Sequence, residues 1–600
     1  MRQNNIANWK NDKSLECMLF FAQRMDELLF HHTTDTYRYS VLSLRGLAAE
    51  YSNVYSDVKK GLINKKNLSH IIEEFVNRIK NDDIAKEILT KEFVKRFTKN
   101  YNSWDLKTQY ENIRYIRRKL SNRAYYNCIV DQLKLLIKEN KKKKEIDKNT
   151  ALFVREILDC GYNENYIFKI LHEVFFHKEV SSFDSLDEFF EKFDFVTLKY
   201  DVYIGYSNDM SSVFPLFNKL EISDLKVSMV DMKNVPKGIK TKRQKTILKF
   251  EDIESYDMYS AFELANAIAL VVVDSYSFFK HGIKTIRTYG QVVDKENIIT
   301  TIRPPKLLKN RVATLSHENS SKNAETLINV LFANYDNLSN FIRITKTHNA
   351  AILSDNISES LLSLWSILES IVEEDNNVED NKIDTANEKK ERSKIGNVIA
   401  YTMPYLKSTY IRKLVQTCMD DIIRWDKNFF DEHIANNSFG SNNIDHTFAF
   451  LAFKAMQPQR DILYSRTEQY PLLRYRIYSL SEAFANTKGI KSMIGEHTQR
   501  VEWQLHRIYR ARNYIIHDAV ENNKLNDELV INLHSYVDTL FMEIISIIWN
   551  SPYNDSIKDA MTSQKLSVLI MDEKMKNNQN EDIDAGNALQ YLYYDFEQLK

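Results

Sequence analysis

Glycine and proline are scarce in this chain of 600 residues, which holds 12 glycines and 8 prolines. The tight turns of β-sandwiches and propellers depend on these two residues, so such folds are disfavoured. The hydrophobic share of 43% supplies enough apolar side chains for more than one core. The sequence therefore predicts a mainly α-helical protein of two to four domains.

Charge is balanced over the whole chain, with 82 basic and 82 acidic residues. A net charge of zero gives no overall positive field to attract nucleic acid. Any contact with RNA must then come from a local patch or from an assembled oligomer. The basic segments 138–148 and 235–245 have no interleaved aromatic residues, and they are interpreted as solvated segments rather than RNA contacts.

The cysteines predict neither a zinc site nor a disulfide framework, because they are scattered and form no Cys-x-x-Cys pair. They are Cys17, Cys128, Cys160 and Cys418. We expect buried thiols in a reducing cytoplasm, with no metal and no cofactor. The apolar run 261–279 contains Glu263 and Asp274, so it is interpreted as a core helix, and no membrane contact is expected.

Changes in patterning divide the chain into four predicted parts. Residues 1–180 form a helical region, residues 185–325 an α/β module, residues 326–550 a helical domain and residues 551–600 a C-terminal tail. Within the module, residues 193–207 and 222–232 have the β-branched and aromatic content of strands, residues 255–279 form a helix, and a hairpin turns at 294–297. The polar stretch 375–392 is predicted to be an exposed loop. No glycine-rich phosphate-binding motif is present.

One helical segment, YRARNYIIHDA at residues 509–519, combines an apolar stripe with a cluster of polar residues. The stripe consists of Leu505, Ile508, Tyr509, Ile516, Ala519 and Val520. Arg512 falls within this stripe, and a buried guanidinium needs a partner or a functional role. Glu369, which lies among apolar residues of the earlier segment LWSILES, is the candidate partner.

Three further polar residues, Arg510, Asn513 and His517, lie on a neighbouring stripe of the same helix. Arg510 is an additional cation, and the sequence leaves open whether it contacts RNA or solvent.

The arrangement of Arg512, Asn513 and His517 resembles the R-N-x-x-x-H signature of HEPN domains. The aromatic-Arg-x-Arg-Asn segment before the histidine, and the earlier LWSILES helix, are similar to the Apea-like HEPN family. The resemblance covers about residues 325–550, whereas the first 320 residues resemble no family that we can name. It implies a HEPN-type helical bundle.

The family allows four to six residues between the arginine and the histidine, and this spacing alone is weakly specific, since other pairs in the chain fall within it. These are Arg24 with His31, Arg311 with His317, Arg343 with His348, and Arg500 with His506. Only Arg512 is followed directly by asparagine within a strongly periodic helix.

The resemblance implies a metal-independent endoribonuclease. Histidine titrates near neutral pH and can exchange a proton with ribose or with the leaving oxygen, which fits His517. Arginine stays charged and matches phosphate, which fits Arg512, while Asn513 would orient a phosphate or the imidazole. The family also implies a homodimer or higher oligomer with paired motifs and a 2′,3′-cyclic phosphate product. It further implies an antiviral, abortive-infection or toxin-like role set off by a phage or cellular trigger.

Two other interpretations remain open. A catalytically inactive HEPN fold could serve RNA binding or dimerisation. A purely structural helical adaptor would use Arg512 and His517 only to satisfy polar contacts.

Overall fold

The computed structural model describes residues 6–10, 12–30, 33–217, 226–231, 235, 239, 244–280, 287–302, 308, 317–333, 338–354, 356–376, 394–517, 523–550, 556–578 and 580–594. Helices hold 73% of the residues and strands 7%. The predicted mainly α-helical fold, with a small sheet in the middle of the chain, is confirmed.

An aromatic-rich helical part comes first in the chain. Its helices are α1 (Glu16–Leu28), α2 (Leu44–Lys59), α3 (Asn67–Asn81), α4 (Asp83–Leu89), α5 (Lys91–Asn100), α6 (Leu106–Lys119), α7 (Asn122–Lys138), α8 (Lys143–Asp159), α9 (Glu164–Phe175) and α10 (Asp184–Glu191). Their core continues to Phe193, so this part ends about a dozen residues later than the sequence predicted. The start of α2 is fixed by Ser43, whose hydroxyl accepts a hydrogen bond from the Gly46 backbone N–H at 3.1 Å.

A five-stranded antiparallel sheet follows, in the order β2-β3-β1-β4-β5. Its elements are β1 (Leu198–Tyr206), α11 (Phe214–Phe217), β2 (Lys226–Val230), β3 (Thr246–Ser255), α12 (Met258–Phe279), β4 (Arg287–Val293) and β5 (Ile299–Ile302). The predicted hairpin is confirmed. Asp294 accepts backbone hydrogen bonds from Glu296 and Ile298 at 2.9 Å each, and Asn297 takes the positive φ of 61° that closes the turn.

Helix α12 packs one face against the sheet. Asp257 caps its start by accepting from the backbone N–H groups of Tyr259 and Ser260, at 2.8 and 2.9 Å. The contact is close at Gly290 of β4, where a Cβ atom would lie 1.8 Å from the ring of Phe262. Glycine is therefore required at this position for the helix to approach the strand.

Two described helices are long and apolar enough to cross a membrane, namely Met258–Phe279 within the sheet module and Asn526–Asn550 near the C-terminus. Of the most apolar 18-residue stretch of each helix, 33% is buried in the first helix and 56% in the second. Both helices contribute side chains to cores of the fold, and two such helices are weak evidence for a membrane span.

The C-terminal part is built from a further set of helices. They are α13 (His317–Ala333), α14 (Leu338–Leu353), α15 (Ile357–Asn376), α16 (Lys394–Ser408), α17 (Tyr410–Trp425), α18 (Lys427–His433), α19 (Asn443–Ala452), α20 (Gln457–Arg466), α21 (Pro471–Phe484), α22 (Thr487–His517), α23 (Asn523–Asn550), α24 (Ile557–Asn577) and α25 (Ala588–Tyr593). They enclose two cores, one around α15, α22 and α23 and one around α17, α19 and α21.

The prediction of a C-terminal tail is wrong for residues 556–594, which the structure builds into the two cores. Helix α24 buries Ile557 and Met561 in the core around α15, and Val568 and Met571 in the core around α17. The polar residues of this segment are numerous, but its apolar residues recur at helical spacing, and that periodicity decides the packing.

Helix α22 runs through both C-terminal cores. Ile490 and Ile494 in its first half belong to the core around α17, and Val501, Leu505 and Ile508 belong to the core around α15. Its start is set by Asn486, whose side chain accepts from the Gly489 backbone N–H at 3.0 Å. The predicted exposed loop lies almost wholly outside the described residues, as does most of the basic segment 235–245.

Candidate functional site

The polar cluster picked out by the sequence lies at the C-terminal end of α22. The buried stripe of this helix is carried by Val501, Leu505 and Ile508, and Arg512 takes the next position on it. The side chain of Arg512 is 25% exposed, so it stands where the stripe passes from the core to the surface.

Arg512 contacts both residues that the sequence associated with it. One terminal nitrogen donates to Asn513 Oδ1 at 3.0 Å, and the other lies 3.4 Å from Glu369 Oε2. The predicted pair of Arg512 with Glu369 is therefore present. At 3.4 Å and with the Glu369 side chain 22% exposed, it is a long, partly hydrated ion pair.

A second contact between α15 and α22 holds this pair in register. The rings of Trp365 and Tyr509 lie 5.6 Å apart between their centroids, at an interplanar angle of 42°. Trp365 precedes Glu369 by one turn, and Tyr509 precedes Arg512 by one turn. The aromatic contact and the ion pair thus join α15 and α22 at two successive turns. The aromatic contact, which includes the buried Trp365, fixes the position of the more exposed ion pair.

His517 is the last residue of α22, and its side chain lies outside the described residues. Its backbone position is one helical turn after Asn513, and residues four apart share a helix face. The backbone therefore places His517 on the Asn513 face of the helix.

The predicted apolar stripe needs one correction, at Ile516. This side chain is 47% exposed, whereas the neighbouring Ile515 packs against the core. Burial along this face diminishes beyond Arg512, so the last turn of α22 presents apolar surface. Ala519 and Val520, which the sequence assigned to the same stripe, lie outside the described residues.

Arg510 contacts neither solvent nor an open surface, so both alternatives that the sequence offered for it are wrong. Its side chain is 6% exposed, and it donates to Glu50 Oε1 of α2 at 2.8 Å. The sequence could not show this, because the carboxylate lies 460 residues earlier in the chain. Arg510 is a structural residue that joins α22 to the N-terminal helices.

Arg507, one turn before Arg510, completes this connection. It lies 3.0 and 2.9 Å from the two carboxylate oxygens of Glu50 and 2.6 Å from Glu74 of α3, with 3% of its side chain exposed. Burial alone would raise the pKa of Glu50, but the guanidinium groups of Arg507 and Arg510 outweigh it and lower the pKa to about 2. The carboxylate is therefore held in its charged form.

The N-terminal helices also contact α22 close to the candidate site. Tyr514 donates its hydroxyl hydrogen bond to Asp57 of α2 at 2.6 Å. Asp57 follows Glu50 by two turns, as Tyr514 follows Arg507 by two turns, so α2 and α22 run side by side in the same direction. The residue next to Asn513 is thus held by the N-terminal region.

A cavity of about 500 Å³ lies where the N-terminal helices, the sheet module and α22 meet, away from the Arg512 cluster. Arg500, Gln504 and Arg507 line it from α22. Five arginines in the lining are matched by five carboxylates. It therefore has no excess positive charge with which to attract RNA, and the described end of α22 remains the better candidate site.

Sequence reasoning missed the partners of α22 on α2 and α3, namely Glu50, Asp57 and Glu74. The one available signal was that Arg507 and Arg510 lie on a helix that must be buried, which demands carboxylates somewhere in the fold. Nothing in the order of residues indicates which carboxylates they are.

No protein-family model, no curated protein and no solved structure matches this chain.

Proposed function

We propose that this protein is a metal-independent endoribonuclease of HEPN type, with Arg512, Asn513 and His517 as its catalytic residues. The observation that carries the proposal is the partial exposure of Arg512 and its long ion pair. Unlike Arg507 and Arg510, it is partly exposed and is paired only at 3.4 Å with Glu369. A phosphate can therefore reach this guanidinium, whose planar donors match the oxygens of a phosphate.

The reaction needs one proton acceptor and one fixed cation. The ribose 2′-oxygen attacks the adjacent phosphorus, the bond from phosphorus to the 5′-oxygen breaks, and a 2′,3′-cyclic phosphate and a 5′-hydroxyl result. His517 accepts the 2′-hydroxyl proton or supplies one to the leaving oxygen. Arg512 stabilises the charge that gathers on the phosphate oxygens, and Asn513 orients the phosphate or the imidazole.

One copy of the motif supplies one arginine and one histidine, so we infer that two copies act together in a homodimer. The exposed Ile516 beside the motif offers apolar surface that a second copy of the chain would cover. In this arrangement RNA binds in the cleft between two α22 ends.

The N-terminal helices are proposed to restrain the nuclease, with Glu50, Glu74 and Asp57 holding α22 in place. An unrestrained ribonuclease is toxic, so such a region suits a protein that acts in the cytoplasm only after a phage or cellular trigger. An antiviral or abortive-infection role follows from the HEPN resemblance.

The second candidate is an inactive HEPN fold that binds RNA or dimerises. Glu369 favours its dimerising form, because a carboxylate beside Arg512 competes with phosphate for the guanidinium. The two candidates differ in the role of His517, which is catalytic only in the nuclease.

The test incubates the purified full chain with total RNA in the presence of a chelator, beside Arg512→Ala and His517→Ala. The matched control is Arg343→Ala, because Arg343 is exposed on α14 and precedes His348 by the same spacing. We expect cleavage by the wild type and by the control, and a loss of about 100-fold or more in both motif variants.

Product ends and oligomeric state complete the test. Cyclic phosphate ends and a dimer by light scattering would support the proposal. Equal amounts of intact RNA from all four proteins would refute the nuclease, and retained RNA binding in His517→Ala without cleavage by any protein would establish the binding module.

A further inference from the structure

Two histidines and a glutamate meet between α3 and α22, upstream of the candidate nuclease residues. Glu502 and His506 are four residues apart on α22, and His70 comes from α3. Their ligand atoms lie within 4.8 Å of one another, and each side chain is half-buried. The rings of His70 and His506 are stacked, with 3.4 Å between centroids and an interplanar angle of 17°.

We propose that His70, Glu502 and His506 form a binding site for a transition-metal dication of the zinc class, which ties α3 to α22. Two imidazoles and one carboxylate are a ligand set that zinc uses, with a fourth position left for water. Glu502 and His506 supply two of these ligands from α22 at i, i+4 spacing, and His70 supplies the third from α3. This site differs from the expectation that the sequence holds no metal site, which rests on its scattered cysteines and on the HEPN resemblance.

The separations in this cluster are close to those that coordination needs. Ligand atoms about 2.0–2.2 Å from a tetrahedral metal lie roughly 3.4 Å from one another. The three ligand atoms lie within 4.8 Å of one another, so coordination requires them to approach by about 1.4 Å at most. The stacked rings must turn so that their lone pairs converge on the ion.

The polar atoms of this cluster are free to bind. Among the described residues, no protein group hydrogen-bonds to the side chains of His70, Glu502 or His506. Neutral imidazoles are the form that coordinates metal. The nearby cation Arg510 acts on both imidazoles, and its ion pair with Glu50 at 2.8 Å, a carboxylate that Arg507 shares, offsets part of that positive charge.

Glu73 of α3 is a further carboxylate close to the proposed metal site. Glu73 follows His70 by one turn on α3, and it lies near enough to Glu502 for their charges to repel. A dication between the two helices would relieve this repulsion. Asn77 of α3 also reaches Gln499 of α22 at 3.5 Å, so the helices run antiparallel past the cluster and present both ligand pairs to one point.

A second histidine cluster, formed by His348, His534 and Asp538, differs from the cluster at His70 in how its carboxylate is bound. Asp538 lies 2.8 Å from His348 and 3.4 Å from His534, so one oxygen of this carboxylate faces each ring. The carboxylate is hydrogen-bonded to His348, and its second oxygen lies close to His534, so both oxygens are already engaged by the two rings. The cluster at His70 has no such internal partner, which is why it is the stronger candidate for an ion.

The experiment titrates Zn²⁺ and Co²⁺ into the untagged full chain after chelation, by calorimetry and by the visible absorption of tetrahedral Co²⁺. We expect one ion per chain and a rise in melting temperature on binding. His70→Ala and His506→Ala should weaken binding at least ~100-fold, beyond the loss that outer-sphere changes cause. His348→Ala is the matched control and should bind as the wild type does.

Glu502→Gln guards against variants that fail to fold, because it keeps the shape of the side chain and removes its charge. It should weaken binding at least tenfold while circular dichroism stays unchanged. Absence of saturable binding by the wild type, or binding lost only in His348→Ala, would overturn the proposal. Because the readout is metal binding, the outcome does not depend on ribonuclease activity.

Discussion

Helix α22 carries two groups of arginines that differ in what their guanidinium groups contact. Arg507 and Arg510 point to the N-terminal helices, are nearly completely buried and bind carboxylates at 2.6–3.0 Å. Arg512 lies two residues after Arg510, is 25% exposed and has its carboxylate at 3.4 Å. Residue type and helix are the same, and only the surroundings differ.

This difference separates arginines that build the fold from an arginine that can bind a ligand. A buried guanidinium is desolvated, so its stability depends on its carboxylates and it has no capacity for phosphate. A guanidinium at the edge of the core keeps water in part of its shell, and a phosphate can replace that water. Proximity to the R-N-x-x-x-H motif is therefore not enough to assign a role.

The largest expected effect comes from Arg507→Ala. It leaves Glu50 and Glu74 buried with weakened compensation, and removal of one partner from a buried pair costs about 3–5 kcal/mol. Arg512→Ala should cost less than about 1 kcal/mol, because its pair is long and partly hydrated. Urea denaturation of the two variants measures the free energies of unfolding, and equal losses would show that the two groups are not distinct.

Acid should weaken the ion pairs of Arg507 and Arg510, because both arginines bind Glu50. Its pKa is lowered from 4.5 to about 2 in the folded chain, so its contribution is present above pH 4.5 and is lost as the pH falls towards 2. The shift corresponds to ~3 kcal/mol. We expect Glu50→Gln to reduce the fall in unfolding free energy over this pH window, measured by urea denaturation at several pH values.

The control for the acid experiment is Glu359→Gln, which changes an exposed glutamate on α15. It should leave the pH dependence of the wild type intact, since a solvated carboxylate gains little from folding. If Glu50→Gln follows the same pH curve as this control, then Glu50 does not carry the acid sensitivity.

Sequence reasoning predicted what is local to a helix. The scarcity of glycine and proline predicted the helical class, and the periodicity of the LWSILES and YRARNYIIHDA segments placed Glu369 opposite Arg512. The alternation of strand residues and the Asp294 turn predicted the hairpin. The helix and strand signals each lie within about twenty residues of chain, where the periods of helix and strand act directly. The pair of Glu369 with Arg512 is the exception, because it joins residues 143 apart whose carboxylate and guanidinium both lie among apolar residues of their helices.

Most contacts between distant segments cannot be predicted in this way. The sequence offers only RNA or solvent as partners of Arg510, while its partner in the fold, Glu50, lies 460 residues away. The segment that forms α24 resembles a tail in sequence because its polar content masks its apolar spacing. A charge on a buried helix face indicates that a partner of opposite charge exists. Which of the 82 acidic residues is the partner depends on the tertiary fold.

A smaller effect is expected at the contact between α2 and the end of α22. Tyr514→Phe removes the hydroxyl that binds Asp57 at 2.6 Å, and a hydrogen bond to a charged group contributes about 1.5–3 kcal/mol when buried. Because both side chains are only part-buried, we expect a loss near ~1 kcal/mol. Tyr115→Phe, at an exposed tyrosine on α6, is the control and should be neutral in thermal unfolding.

The same variant also tests the proposed restraint. If α2 holds the nuclease end of α22, Tyr514→Phe should raise ribonuclease activity above that of the wild type under identical conditions. Unchanged activity together with the expected loss of stability would mean that the contact supports the fold without restraining the site.

The smallest effect on stability, and the sharpest test of the comparison, is expected from Glu369→Gln. The pair with Arg512 is 3.4 Å long and its side chains are 25% and 22% exposed, so the loss should stay below about 1 kcal/mol. Removing the charge of Glu369 frees the guanidinium for phosphate, so affinity for a short RNA, measured by fluorescence anisotropy at fixed salt, should rise severalfold. The double variant Glu369→Gln with Arg512→Ala should lose that gain. If the gain persists in the double variant, the phosphate is bound elsewhere, and Arg512 belongs with Arg507 and Arg510 as a residue of the fold.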